Sequence, residues 1–216
     1  MCSAVAGCAK PNQVDDPFGT AKAPRDDFDN GANRPPTVKT MYSLAKIAAD
    51  QGRDDQAVVL LQKTIQASPT CLPAYLDLAE LYMRQQQIMQ AMQTLAQGLK
   101  HLPGNPQLLN NLGMCYVFLE EYNRALDLFT KAAAASPEDA RYRANMALAL
   151  GMLGRYEESM SLYMMAVTPD KAHYNLSVIC RNRKDLPRAD QEYRQALRLG
   201  LKTEGLAKSS LPPAVQ

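Results

Sequence analysis

Apolar and small residues recur along most of this chain in fixed columns, 34 positions apart. Proline returns at Pro69, Pro103 and Pro137, and alanine at Ala57, Ala91 and Ala125. A bulky slot at Leu61, Leu95, Phe129 and Tyr163 keeps step, as do the pairs Leu44-Ala45, Leu78-Ala79, Leu112-Gly113 and Met146-Ala147. Four columns sharing one period mark an internal repeat. The small residues let one helix of a unit approach the other, the bulky slot fills the space between, and each closing proline stops the second helix. One such unit cannot bury its apolar face alone, so the units are expected to stack into a solenoid with a concave and a convex side.

Copies begin near Val38, Leu72, Pro106, Ala140 and Asp170, giving units over 38–71, 72–105, 106–139, 140–169 and 170–203, with a tail over 204–216. The fifth comes 30 residues after the fourth, so one helical turn is expected to be missing around Thr168-Pro169-Asp170. Leu109, Leu112, Gly113, Tyr116, Tyr122, Ala125, Phe129, Ala132 and Pro137 of the third copy fall in the signature positions of the tetratricopeptide repeat (TPR). The chain resembles that family over about 166 of its 216 residues. Leu109, where the family favours Trp, and Glu120, where a turn glycine is usual, depart from it. The resemblance implies an all-α, right-handed TPR solenoid of about five helix–turn–helix repeats that binds proteins and is not an enzyme. The polar last helix, from Pro187 to Leu199, would cap the stack with Arg188, Asp190, Glu192, Arg194 and Arg198 and end at Gly200. Ser159 replaces Ala in its column, which is tolerable if the hydroxyl bonds back to a carbonyl.

Ahead of the repeats the pattern is lost. Residues 9–37 carry no helical or strand period, and Phe18 and Phe28 are their only large apolar groups, so a disordered linker is expected there. Residues 1–8 end in Val5-Ala6-Gly7-Cys8, which resembles the lipobox of bacterial lipoproteins, where the cysteine is lipidated. Only seven residues precede Cys8 and none is basic, whereas a signal needs a charged start and an apolar run. Two readings stand: a truncated signal with lipidation at Cys8, or a chance match. The first implies an outer-membrane lipoprotein facing the periplasm. Small TPR lipoproteins of this kind resemble assembly factors of pili and secretion systems, including the tight-adherence (Flp) pilus. The second implies a soluble cytoplasmic adaptor or co-chaperone-like module. The membrane would be a partner only if Cys8 is acylated.

Charge and composition narrow the chemistry. Twenty-four basic and 22 acidic side chains leave a net charge of +2, which speaks against a nucleic-acid surface. Five cysteines without C-x-x-C spacing and two histidines suggest neither a disulfide framework nor a metal site. Cys115 and Cys180 are expected to be buried, and Cys71, after a Ser-Pro-Thr turn, to lie inert at the surface. His101 and His173 read as packing or surface residues. The Gly200-x4-Gly205 spacing lacks the lysine of a phosphate loop, and residues 26–31 lack the ligands of a calcium loop. No catalytic constellation and no cofactor are expected.

In TPR proteins the first helix of each repeat lines the concave face. Carried onto this chain, that gives a groove bearing Asn110, Asn111, Met114, Phe118, Arg141, Asn145, Leu148, Met152, Tyr174, Asn175, Val178 and Arg181. Amide, methionine and aromatic groups edged by arginine suit an extended segment or helix of another protein. Asn111, Asn145 and Asn175 share one column and resemble the asparagine ladder of O-linked N-acetylglucosamine transferases, whose amides bond a peptide backbone. The alternative is that these amides bond within the repeats. The columns of the chaperone-tail clamp read Tyr42, Lys46, Asp77, Gln107 and Asn111, and do not match that motif.

Overall fold

The computed structural model describes residues 36–202, and among them it contains ten helices and no strand. These are α1 (Val38–Asp50), α2 (Asp54–Ala67), α3 (Leu72–Arg84), α4 (Ile88–His101), α5 (Pro106–Phe118), α6 (Tyr122–Ala135), α7 (Ala140–Met152), α8 (Tyr156–Ala166), α9 (Pro169–Asn182) and α10 (Leu186–Arg198). Each helix packs on the next, and α3, α5, α7 and α9 also meet one another in succession. Direct contact among the odd-numbered helices places them on the inner, concave side of the stack. The linker over 9–37 (but for its last two residues), the lipobox at Cys8 and the tail beyond 202 lie outside the described residues.

Starts and stops follow from local chemistry. Thr37, Asn105, Asp139 and Asp185 each accept backbone N–H bonds at the head of a helix. Pro73, Pro106, Pro169 and Pro187 occupy first turns, where the missing N–H costs nothing. The first helix of every pair ends on a left-handed residue, at Gly52, Gln86, Glu120, Gly154 and Lys184. In each case its N–H and the next bond back to carbonyls of the last turn, as Glu120 to Val117 and Glu121 to Tyr116 do. Two of these five positions are glycine, and the other three hold a side chain in a conformation glycine would adopt without strain.

The core repeats one contact. The small residue of the first helix faces the bulky residue 16 positions later, as Ala45–Leu61, Ala79–Leu95, Gly113–Phe129, Ala147–Tyr163 and Ser177–Tyr193, and nine of these ten residues are buried core or polar groups, with Gly113 also enclosed. Gly113 is the smallest because Phe129 is flat against it: a methyl group there would come within 2.5 Å of the ring.

Two expectations, for Cys71 and Glu192, need correction. Cys71 is fully buried, because it sits in the turn between α2 and α3 beneath the first two repeats. Ser159, by contrast, meets its condition: the hydroxyl donates to the Ala147 carbonyl at 2.7 Å, on the facing helix α7. Glu192 belongs not to an open polar face but to the interior: it is 8% exposed, and its Oε2 lies 2.6 Å from His173 Nδ1 on α9. The shortening of the fourth unit falls on α8, which has 11 residues where α2, α4 and α6 have 14.

Candidate protein-binding groove

The concave layer has two chemically distinct halves. In the first, the Tyr42 hydroxyl of α1 donates to Asp77 Oδ2 of α3 at 2.7 Å, and Lys46 Nζ lies 3.4 Å from the same oxygen. Burial and the bond to Asp77 push the Tyr42 phenol above its ordinary range. Arg84 pairs with Asp54 at 3.1 Å. Lys46, Asp50, Asp77, Glu80 and Arg84 surround a recess of about 250 Å³ between α1 and α3. Lys46 is thus matched to Asp77 within the recess, and Arg84 to Asp54 beside it.

The second half is uncharged at its centre. Asn145 Nδ2 on α7 donates to Asn110 Oδ1 on α5 at 2.6 Å, and Asn110 Nδ2 donates to Asn111 Oδ1 at 3.3 Å. The three amides therefore form a chain across two repeats, and Asn110, not Asn111, bridges to Asn145. This is the within-fold bonding that the sequence left open for two of the three ladder positions. Asn175, on α9, is half-buried in the same column. On the same two helices, Val117, Phe118, Leu148 and Met152 line a depression of about 610 Å³ together with Glu120, Tyr122, Asn182 and Arg183. Phe118 is 59% exposed, an unusual amount for a large apolar ring on a helix.

The remaining expected residues divide. Met114 turns inward and packs near Ala125 and Phe129. Tyr174 is half-buried, its ring 6.4 Å from that of Tyr193, and Val178 and Arg181 are half-buried on the same helix. Arg141 is committed locally: its Nε and Nη2 reach the Asp139 carboxylate at 3.0 and 2.6 Å, and that pairing holds the Asp139 carboxyl below its usual range. It is exposed at the start of α7, seven positions before Leu148.

Arg183 was not anticipated. Its Nε donates to the Tyr156 hydroxyl at 3.1 Å and its Nη1 to the Met152 carbonyl, while Arg188 lies over the other part of the same ring, 4.6 Å from the centroid. Tyr156 is thus held by two guanidinium groups, which ties the fourth repeat to the fifth. Arg183 caps α9, just past the last helical position, where a comparison of helix columns does not look. Among the described residues, no cluster of three or more His, Cys, Asp or Glu could hold a metal ion, and no helix is long and apolar enough to cross a membrane. Burial pushes the Cys115 and Cys180 thiols up to about 11.

The family profile described as tetratricopeptide repeat matches residues 48–115 and 90–148. Residues 48–148 therefore match tetratricopeptide repeats. Among curated proteins, tetratricopeptide repeat protein 16 of Mus musculus is 22% identical over 156 residues, covering 69% of this chain and 20% of its own length. TPR repeat-containing protein YvcD of Bacillus subtilis is 28% identical over 113 residues, covering 52% of this chain and 23% of its own. The chain thus spans about a fifth of these relatives. MamA of Desulfovibrio magneticus superposes with a TM-score of 0.62 at 18% identity, covering 75% of this chain and 94% of that one. YrrB, described as a TPR protein with an unusual peptide-binding site, gives 0.58 at 18% identity, covering 76% and 87%. At such identities the likeness establishes the fold: an all-α TPR solenoid.

Proposed function

We propose that this TPR solenoid is a non-enzymatic scaffold that holds an extended segment or helix of another protein in its concave groove. The observation that carries the reading is the exposed Phe118 beside Leu148 and Met152, in a recess that also takes in Glu120 and Arg183, on the same two helices as the Asn110–Asn111–Asn145 amide chain. An apolar side chain of the partner enters the recess, and the amides exchange their internal bonds for bonds to its backbone. The peptide-binding site attributed to YrrB, which shares the fold, is in keeping with this. Capture of binding proteins by the full chain, followed by mass spectrometry, is expected to yield partners that are lost with Phe118→Ala and weakened by Asn110→Ala and Asn145→Ala, while the melting temperature of Phe118→Ala stays within a few degrees. Partners retained by all three variants would reject the groove.

The same reading sets the scaffold in the bacterial envelope, in pilus or secretion-system assembly. The Val5-Ala6-Gly7-Cys8 sequence and the Pro/Asp-rich stretch after it support an anchor lipidated at Cys8. The competing reading is a soluble cytoplasmic adaptor. The genomic frame upstream of Met1 separates the two: a basic start and roughly a dozen apolar codons support the anchor, and an immediate stop codon excludes it.

A further inference from the structure

Two columns of the first helices are interior in the later repeats but exposed in the first. Leu44 is 46% and Ile47 49% exposed on α1. Of their counterparts, Leu78, Leu176, Leu81, Cys115, Ala149 and Ile179 are buried and Leu112 and Met146 half-buried. The reason is the preceding unit: Leu81 lies beside Ala45, Ala49 and Leu61, Leu78 beside Ile65, and Ala149 with Ala125 and Phe129. On α1 nothing precedes that face among the described residues, yet its chemistry is that of an interior repeat.

The other end of the stack is finished differently. The column that reads Val58, Met92, Leu126 and Met160 becomes Asp190 on α10, and Gln62, Ala96, Thr130 and Met164 become Arg194. Asp190 and Arg194 pair with each other at 2.8 Å. In the interior, Leu126 and Thr130 meet Met146 and Leu150 of the next unit. A charged pair in that place closes the C-terminal end, so head-to-tail stacking of α10 onto another chain's α1 would bury Asp190 and Arg194 against Leu44 and Ile47. Within residues 9–35, Phe18 and Phe28 are the only aromatic groups, too few to replace a packed helix pair.

We infer that the α1 face bearing Leu44 and Ile47 docks a second copy of this chain, α1 against α1, antiparallel about a two-fold axis. The charges on α1 fit this occupant. Lys39 and Asp50 are both exposed on the groove-side flank, and their midpoint along the helix falls at Leu44-Ala45. A two-fold axis at that midpoint sets each Lys39 opposite the Asp50 of the other copy, on the same side of the pair, so both ion pairs form together. Parallel pairing would oppose like charges instead. The interface leaves the Phe118 recess open and stands independently of the proposed peptide groove.

Sedimentation velocity on the full chain tests this. The wild type is expected to run at twice 23.8 kDa, and Leu44→Lys with Ile47→Lys at the monomer mass with an unchanged helical circular dichroism spectrum. Lys39→Asp alone and Asp50→Lys alone should each weaken dimerisation about three- to tenfold, and the double swap should restore it. A monomeric wild type at roughly 100 μM, which would be the result if residues 1–35 or a different protein's helix covers the face, overturns the proposal. So does a dimer that survives the Leu44/Ile47 substitutions, or a double swap that fails to restore.

Discussion

Gly113 and Phe129 show how one methyl group is assigned within a repeat. Leu61 and Leu95 leave room for Ala45 and Ala79, but the Phe129 ring takes the space a Cβ on Gly113 would need. Gly113→Ala is therefore expected to cost about 1–3 kcal/mol in chemical denaturation. Adding Phe129→Leu recreates the Ala–Leu pair of the first two repeats and should recover part of that loss. A double-mutant cycle with no coupling would show that the two side chains do not share the space. At Ser159 the Ala57, Ala91 and Ala125 column carries a hydroxyl, and its bond to the Ala147 carbonyl satisfies it inside the core.

Among the elements, the turn that closes each first helix is the clearest place to change stability. Gln86, Glu120 and Lys184 hold φ values of 60°, 58° and 65°, where Gly52 and Gly154 stand in the other two repeats. Glycine relieves the left-handed strain but loosens the unfolded chain. Relief is the larger of the two effects, so Glu120→Gly, Gln86→Gly and Lys184→Gly should each stabilise by about 0.5–1 kcal/mol, read as a higher urea midpoint at constant slope. The shortened α8 ends at Ala166, Pro169 opens α9 after a two-residue turn, and the junction is held by Arg183 and Arg188, which both contact the Tyr156 ring.

The molecule as a whole is a stack that keeps every thiol among its described residues inside. Cys71, Cys115 and Cys180 are fully buried, and burial raises each thiol, Cys115 and Cys180 to about 11. In the unfolded chain the same thiols ionise near pH 8.5. The folded state keeps its protons longer, so its stability is undiminished below about pH 8.5 and falls as the pH rises from there toward 11. A thermal melting series from pH 7 to 10.5 should show that decline, and Cys115→Ala with Cys180→Ala should flatten it. Native protein should also react slowly at these three positions with a thiol reagent at pH 8, and quickly once unfolded.

Much of this was legible in the sequence. The columns located the helix pairs, the small-to-bulky contacts and the closing prolines, because each column is repeated and every copy obeys the same packing. The recess residues Phe118, Leu148 and Met152 followed from the same register. Other features escaped it. The Asn145–Asn110 bond, the His173–Glu192 pair, the burial of Cys71 and the position of Arg183 over Tyr156 all join residues from different helices or from a turn. Periodicity says which side of a helix turns inward, but a polar bond depends on distances between helices to within an ångström or so.

By itself, then, the sequence determined an all-helical stack of repeated pairs, since burying a recurrent apolar face leaves a unit of this length one arrangement with its neighbours. Only the tertiary structure decided which amides are engaged, which charges are matched within the groove and which end of the stack is left apolar. Those depend on what lies opposite each side chain once the units are stacked, and at α1 on the absence of any described helix before it.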